Sequence, residues 1–218
     1  MPASGFFTKL FDIFSAEKKQ KHFTSARHAG PSILAQKLDS LYVQHILTIA
    51  KLLSANHPEV ISRIQMCSAE DVRPYLLRYK ELLLDRRCIE KHAENKYALR
   101  IPRDTLLWFA LIDALIDANC ATYTNWDASY EDIVLNLRAV FAHYKLAYPE
   151  NTTEQLHERL MATEALKEIQ SNLAAPYTVG VLSADTNECD FVIAPHEAMQ
   201  QAKGIAQKIG KKIIIYTE

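Results

Sequence analysis

Glycine is scarce in this chain, with 5 copies among 218 residues. Proteins usually contain ~7% glycine, so this chain has roughly a third of the usual share. Loops that bind phosphate groups are rich in glycine, so few such loops can exist here. The closest match, over residues 204–211, has the wrong spacing and is followed by Lys212 where a P-loop needs serine or threonine. We therefore expect no nucleotide cofactor.

Cysteine is also scarce, and its four copies lie far apart. No two of them are closer than 21 positions: Cys67, Cys88, Cys120 and Cys189. No pair has the C-x-x-C spacing of a zinc or redox site, and the content is too low for a disulfide-rich secreted domain. This scarcity favours reduced thiols and a cytoplasmic location.

Long apolar runs are absent as well. The richest stretch begins at Leu106 and is interrupted by Asp113 and Asp117, so it falls short of the ~18 apolar residues of a transmembrane helix. Near the N-terminus, Lys9 and Asp12 interrupt the apolar residues, and no secretory h-region follows. Both observations agree with the cytoplasmic prediction.

The chain lacks the complete motifs of common catalytic and metal sites. His157 and His196 each begin an HExxH motif, but the second histidine of the motif is missing in both places. No serine stands in a GxSxG motif. Cys88 and His92 lie one helical turn apart, yet two ligands do not complete a metal site. We predict no metal, no cofactor and no catalytic residue.

Charge of neither sign is in large excess, because the chain contains 25 Lys and Arg residues and 26 Asp and Glu residues. This balance excludes a wholly basic nucleic-acid binder, so no nucleic-acid partner is expected. The charges are nevertheless segregated along the chain. Residues 73–103 hold nine basic and four acidic side chains, while residues 104–137 hold six acidic side chains and no Lys or Arg. Such segregation can steer a charged partner, or it can reflect pairing within the chain.

The N-terminal segment has the pattern of a separate amphipathic helix. Its apolar side chains recur at helical spacing, and lysines follow them: Phe7, Leu10, Phe11 and Phe14, then Lys18, Lys19 and Lys21. A polar linker ends at Gly30 and Pro31. We predict this helix and linker over 1–30 and a single domain over 31–218. The helix can dock on a partner, a second copy of the chain or an anionic membrane surface. The alternatives are that it packs on its own domain or is a partly ordered tail.

The remaining pattern predicts an α+β fold. The apolar period is helical through most of 31–174 and becomes strand-like after Pro176. Strands are expected at 120–126, 177–183, 190–194 and 212–217. The last three form a β-hairpin, a helix opened by Pro195, and a final strand. A helix-rich body with a small mixed sheet, assembled mainly from the C-terminal third, is the expected architecture.

Asp113 and Asp117 are the most informative pair of charged residues. They lie one turn apart on a predicted helix made otherwise of apolar side chains. A buried unpaired carboxylate is costly, so the two carboxylates either face solvent or are paired. We take them as part of a candidate binding surface with the acidic and aromatic residues that follow: Asp113, Asp117, Trp126, Asp127, Glu131 and Asp132.

Several segments together resemble an uncharacterised bacterial family, a domain of unknown function. They are the helix from Leu106-Leu107-Trp108 to Asp113-Ala114-Leu115, the strand ending in Asn125-Trp126-Asp127, the helix with Glu131-Asp132-Ile133, and the hairpin with Asp185 and Phe191-Val192-Ile193 before Pro195. The resemblance covers about 104–215 and leaves the first hundred residues outside. It implies an α+β fold in a bacterial cytosolic protein, and it implies no activity.

Three functions are compatible with these observations. The first is a non-catalytic protein that binds a protein partner through its charged surface, such as a toxin-neutralising immunity protein. The second is an enzyme with a carboxylate site around Asp113, Asp117 and Asp127. The third is a peripheral membrane adaptor that acts through the N-terminal helix. The predicted partners are therefore another protein, a second copy of the chain, or weakly a membrane surface.

Overall fold

A computed structural model describes residues 33–86, 101–125, 128–147, 162–182 and 188–216 of the chain. The predicted N-terminal helix and linker lie outside these residues, as do Trp126, Asp127, Cys88 and His92. Within the described residues, no helix is long and apolar enough to cross a membrane.

Seven α-helices and four β-strands lie within the described residues. A 3-10 turn at Ile33–Ala35 precedes the helices α1 (Ser40–Leu53), α2 (Pro58–Ser68), α3 (Arg73–Arg86), α4 (Arg103–Asp117), α5 (Tyr130–His143), α6 (Ala162–Asn172) and α7 (His196–Lys208). The strands are β1 (Ala121–Asn125), β2 (Tyr177–Leu182), β3 (Glu188–Pro195) and β4 (Ile213–Ile215). The α+β prediction is confirmed, and each predicted strand matches an observed one within a few residues.

The helix starts follow local capping rules. The Asp39 carboxylate accepts a hydrogen bond from the Leu41 amide at 2.8 Å, and the Ser129 hydroxyl accepts one from the Asp132 amide at 3.1 Å. Pro58 occupies the first turn of α2, where its missing N–H costs nothing. These residues mark the points at which the preceding connections end and α1, α2 and α5 begin.

The four strands form one sheet in the order β1-β3-β2-β4. Every neighbouring pair is antiparallel, including β2 with β4, where Leu182 faces Ile213. The sheet is therefore antiparallel and not mixed as expected. The reason is that β4 pairs with β2, so β3 and β4 point the same way but are separated by β2.

Both faces of the sheet are covered by helices. Leu182, Val192 and Ala194 belong to a core shared with α1, α2, α3, α4 and α7. The alternate residues of the same strands, such as Val181, Phe191 and Ile193, belong to a second core shared with α5 and α6. Because successive side chains point to opposite faces, strand segments covered on both sides are mostly apolar, although the buried Asp190 precedes the apolar run of β3. This explains the continuous apolar runs of β2, β3 and β4.

Gly180 lies where α7 crosses β2. A Cβ atom at this position would stand 2.7 Å from Sδ of Met199 and 3.4 Å from the carbonyl oxygen of Ile214. The missing side chain therefore allows Met199 to reach the sheet. The fully buried Met199 then fills the space that a larger residue at position 180 would occupy.

Candidate functional site

Asp113 lies deep in the protein and not on a solvent-facing stripe. Asp113 is 0% exposed, and almost all the residues around it on α4 are buried as well. Asp117, one turn later, keeps 41% of its side chain exposed and forms an ion pair with Arg63. The solvent-stripe interpretation is therefore wrong for Asp113, whereas the paired-charge interpretation describes Asp117. The physical reason is a buried arginine on a neighbouring helix.

Arg63 is the residue that brings the two aspartates into one site. It projects from α2, and its side chain is only 5% exposed. Its guanidinium carbon lies 3.9 Å from the centre of the Tyr79 ring, which provides a cation–π contact. Burial alone lowers the pKa of Arg63, but Tyr75, Asp117 and Asp113 oppose that effect and the pKa is raised. The guanidinium therefore stays charged beside the two carboxylates.

Tyr75 completes this buried cluster from α3. Burial raises its pKa well above the ordinary value, and the nearby Cys67 acts in the same direction. The phenol is therefore neutral at physiological pH. Arg63 acts in the opposite direction, through its charge and a side-chain hydrogen bond, but does not outweigh burial. The sequence signal for this cluster is Arg63 itself, which falls on the buried stripe of α2 with Val60, Ile64 and Cys67.

A second buried arginine, Arg103, joins the start of α4 to the end of α2. Its Nη2 donates to the carbonyl oxygens of Cys67 and Ala69 at 3.1 and 2.9 Å. Its backbone N–H donates to the side-chain oxygen of Gln36 at 2.9 Å. Burial raises the pKa of the Cys67 thiol to about 12, so the thiol remains protonated beside these arginines. Both arginines thus satisfy groups of the same chain.

Glu131 and Asp132 lie elsewhere, at the exposed start of α5. Asp132 accepts a hydrogen bond from the Ser129 hydroxyl at 2.8 Å, so it takes part in the helix cap. α5 packs in the core on the opposite face of the sheet from α4. The structure therefore brings Asp113 together with Asp117 but does not bring either one to Glu131 or Asp132.

Two ion pairs in the described part of the chain involve the segregated charges. Asp117 pairs with Arg63, which lies outside the basic segment 73–103, and Arg73 of that segment pairs with its neighbour Asp71. Of the acidic residues in 104–137 that the structure describes, Asp117, Glu131 and Asp132 are exposed, and Asp117 is the one that is paired with Arg63. No group of three His, Cys, Asp or Glu side chains that could hold a metal ion occurs among the described residues.

A further cluster was not foreseen, and it joins the two faces of the sheet. His57 precedes α2, Cys120 precedes β1, and His143 and Tyr144 end α5. The Cys120 Sγ lies 3.5 Å from Nε2 of His143, and the His57 and His143 ring centres are 6.1 Å apart. The Tyr144 hydroxyl donates to the carbonyl oxygen of Leu53 at 2.8 Å. No local motif joins these residues, because they are far apart in sequence.

These features define an α+β domain with helices on both faces of an antiparallel sheet, whose buried arginines serve contacts within the chain. The chain belongs to a family described as a domain of unknown function (DUF6630), whose model matches residues 45–216. The predicted resemblance is confirmed, and the match extends beyond its N-terminal limit to include α2, α3 and most of α1. No curated protein and no solved structure matches the chain.

Proposed function

We propose that this chain is a non-catalytic binding protein that holds a basic protein segment on the outer face of α5. The observation that carries the proposal is Leu135, a large apolar residue that is 59% exposed. Glu131 and Asp132 lie four and three positions before it, so all three side chains share one side of the helix. An apolar centre with an acidic rim fits a partner that offers an apolar side chain flanked by lysine or arginine.

The charges of this surface are available to a partner. Glu131 forms no ion pair or hydrogen bond with any other residue that the structure describes. Among the described residues, the Asp132 carboxylate is hydrogen-bonded to the Ser129 hydroxyl, and Asp132 is exposed. Residues 104–137 contain no Lys or Arg, but exposed Arg138 lies three positions after Leu135 on the same side of α5, so the acidic rim is confined to the N-terminal side of Leu135. An acidic surface of this kind raises the rate at which a basic partner associates.

The buried ionisable groups favour binding over catalysis. Arg63 and Arg103 both contact groups of their own chain, and the Cys67 and Cys120 thiols have raised pKa values. A nucleophilic cysteine needs a thiol pKa that is lowered, not raised. The alternative enzyme proposal places a carboxylate site at Asp113, Asp117 and Asp127. The guanidinium of Arg63 argues against a cation there, because it already occupies the position beside Asp117.

The finer form of the proposal is a bacterial, cytoplasmic protein of the toxin-neutralising type. Enzymes that cleave nucleic acids carry basic surfaces because their substrates are polyanions. An acidic protein surface with an exposed leucine could cover such a basic surface.

Site-specific photo-crosslinking in the native cells tests the binding surface. A photoreactive amino acid replaces Leu135 in one variant and Leu77 in a matched control. Leu77 is 60% exposed on α3, which packs on the other face of the sheet within the basic segment. We expect a discrete, saturable crosslinked protein at position 135 and none at position 77. Glu131→Lys should remove the adduct, and raised salt should weaken it.

Two outcomes would refute the proposal. Equal adduct patterns at positions 135 and 77 would show nonspecific capture, and a 135 adduct that persists with Glu131→Lys would exclude the acidic rim. The identity of the captured protein then tests the finer form. A basic nuclease-like protein supports toxin neutralisation, and a protein without a basic surface contradicts it.

A further inference from the structure

We infer that the α5 surface is occupied, before a partner binds, by the N-terminal segment of a second copy of this chain. The inference rests on the proposed function, because it uses the same surface, formed by Glu131, Asp132 and Leu135. The segment comprises residues 5–22, which lie outside the described residues. A basic partner protein then has to displace this segment, so self-association regulates access to the surface.

The segment has the chemistry that the α5 surface favours. Four apolar side chains at helical spacing, from Phe7 to Phe14, precede three lysines between Lys18 and Lys21. Residues 1–30 carry five basic and two acidic side chains, which gives a net charge of +3. Large apolar side chains followed by lysines match an exposed leucine that lies beside two carboxylates.

Leu135 is the exposed leucine whose surroundings fit this segment. Three leucines on α-helices are more than half exposed in the described part of the chain: Leu41, Leu77 and Leu135. Lys37 lies four positions before Leu41, and Arg73 lies four positions before Leu77, so lysines of the segment would meet like charge there. At the corresponding positions before Leu135 lie the carboxylates Glu131 and Asp132. Charge therefore selects the α5 surface among these three.

The charges also indicate the direction in which the segment lies on α5. Beyond Leu135 the exposed face continues through Ala139 and Ala142 at helical spacing, with exposed Arg138 beside them. An antiparallel segment places its lysines beside the two carboxylates and its Asp12 end toward Arg138. A parallel segment would bring the lysines to Arg138, where the like charges repel. The small alanines leave room for the phenylalanine rings of an antiparallel segment.

The two faces of the sheet favour a second copy as the source of the segment. Ile33, the first described residue after the segment, is buried in the core shared with α1, α2, α3, α4 and α7. α5 belongs to the core on the opposite face. A segment of the same chain would have to pass around the sheet to reach α5, whereas a second copy can present its segment to α5 directly. Reciprocal exchange between two copies closes as a symmetric dimer.

Photo-crosslinking of the purified full chain identifies the occupant. A photoreactive amino acid replaces Leu135 in unlabelled chain, which is then equilibrated with unmodified chain labelled with 15N. We expect a crosslinked dimer in which residue 135 is joined to a 15N peptide from residues 5–22. The matched control carries the photoreactive amino acid at position 77 and should give no adduct with this peptide.

Charge reversal tests whether the contact depends on the acidic rim. In sedimentation equilibrium of the full chain, Glu131→Lys should weaken dimerisation by roughly tenfold or more. Adding Lys18→Glu to the same chain should recover part of that loss, because the opposite charges then face each other again. Lys208→Glu, at an exposed position on α7, is the control and should leave the dimer unchanged.

Several results would overturn the inference. Adducts confined to unlabelled peptides would assign the segment to its own chain, and adducts outside residues 5–22 would exclude the segment. A dimer that is insensitive to Glu131→Lys would exclude the acidic rim. A monomeric chain that sediments with phosphatidylserine vesicles would make a lipid surface the target.

The two proposals can fail separately. If the purified chain does not dimerise while position 135 still captures a basic protein in cells, the inference fails and the proposed function stands. If the purified dimer forms as described but position 135 captures no other protein in cells, the proposed function fails and the inference stands.

Discussion

Replacing Arg63 with methionine should be one of the most damaging single changes in this protein. Methionine keeps the apolar length of the side chain but removes the charge that faces Asp113, Asp117 and Tyr75. Removing one partner of a fully buried ion pair typically costs ~3–5 kcal/mol. Asp117 is 41% exposed and can be solvated again, whereas Asp113 cannot. We therefore expect a loss of about 3 kcal/mol in the free energy of unfolding, a large part of a typical 5–15 kcal/mol.

The same reasoning predicts a smaller effect for the other partner. Asp117→Asn keeps a hydrogen-bond acceptor for Arg63 and leaves the guanidinium beside Asp113, so its cost should be about 1 kcal/mol. Urea unfolding followed by tryptophan fluorescence measures both, because Trp108 is buried on α4. Arg138→Met, at an exposed position on α5, is the control. A neutral surface change alters the free energy of unfolding by about 0.5 kcal/mol. If the free energies of unfolding of Arg63→Met and of this control differ by no more than that, the cluster has no stabilising role.

Three further predictions concern other parts of the chain. Gly180→Val should lower stability by about 1–3 kcal/mol through overpacking against Met199, and Met199→Ala should recover part of that loss in thermal melts; additive losses would contradict the packing argument. At pH 8, alkylation of Cys67 and Cys120 should be much slower than in urea-unfolded chain, because burial and raised pKa values both suppress the thiolate; equal rates would disprove this. Deleting residues 1–28 should leave the domain folded while changing oligomeric state or liposome association, as judged by thermal melts and light scattering, and an unfolded product would place that segment in the core.

The sequence by itself determined the elements and the fold class. Apolar residues at helical spacing before Pro176 and continuous apolar runs after it are local signals, because each depends on the period of the chain that carries it. A capping residue such as Ser129 acts within a few positions, so the start of a helix like α5 has a local sequence signal. The exposure of Glu131 and Asp132 follows from the same short-range pattern, since Tyr130, Ile133 and Val134 take the buried positions of α5.

The tertiary structure decided what the pattern leaves open. Asp113 could face solvent or the core, and its burial depends on α2, which supplies Arg63 from 54 positions before Asp117. The antiparallel sheet depends on β4 pairing with β2 beyond the hairpin, although the order of elements also allowed a mixed sheet. His57, Cys120 and His143 meet only because three connections that are far apart in sequence come together in the fold. Long-range contacts of this kind leave no periodic pattern in the local sequence, because they form only when the helices pack on both faces of the sheet.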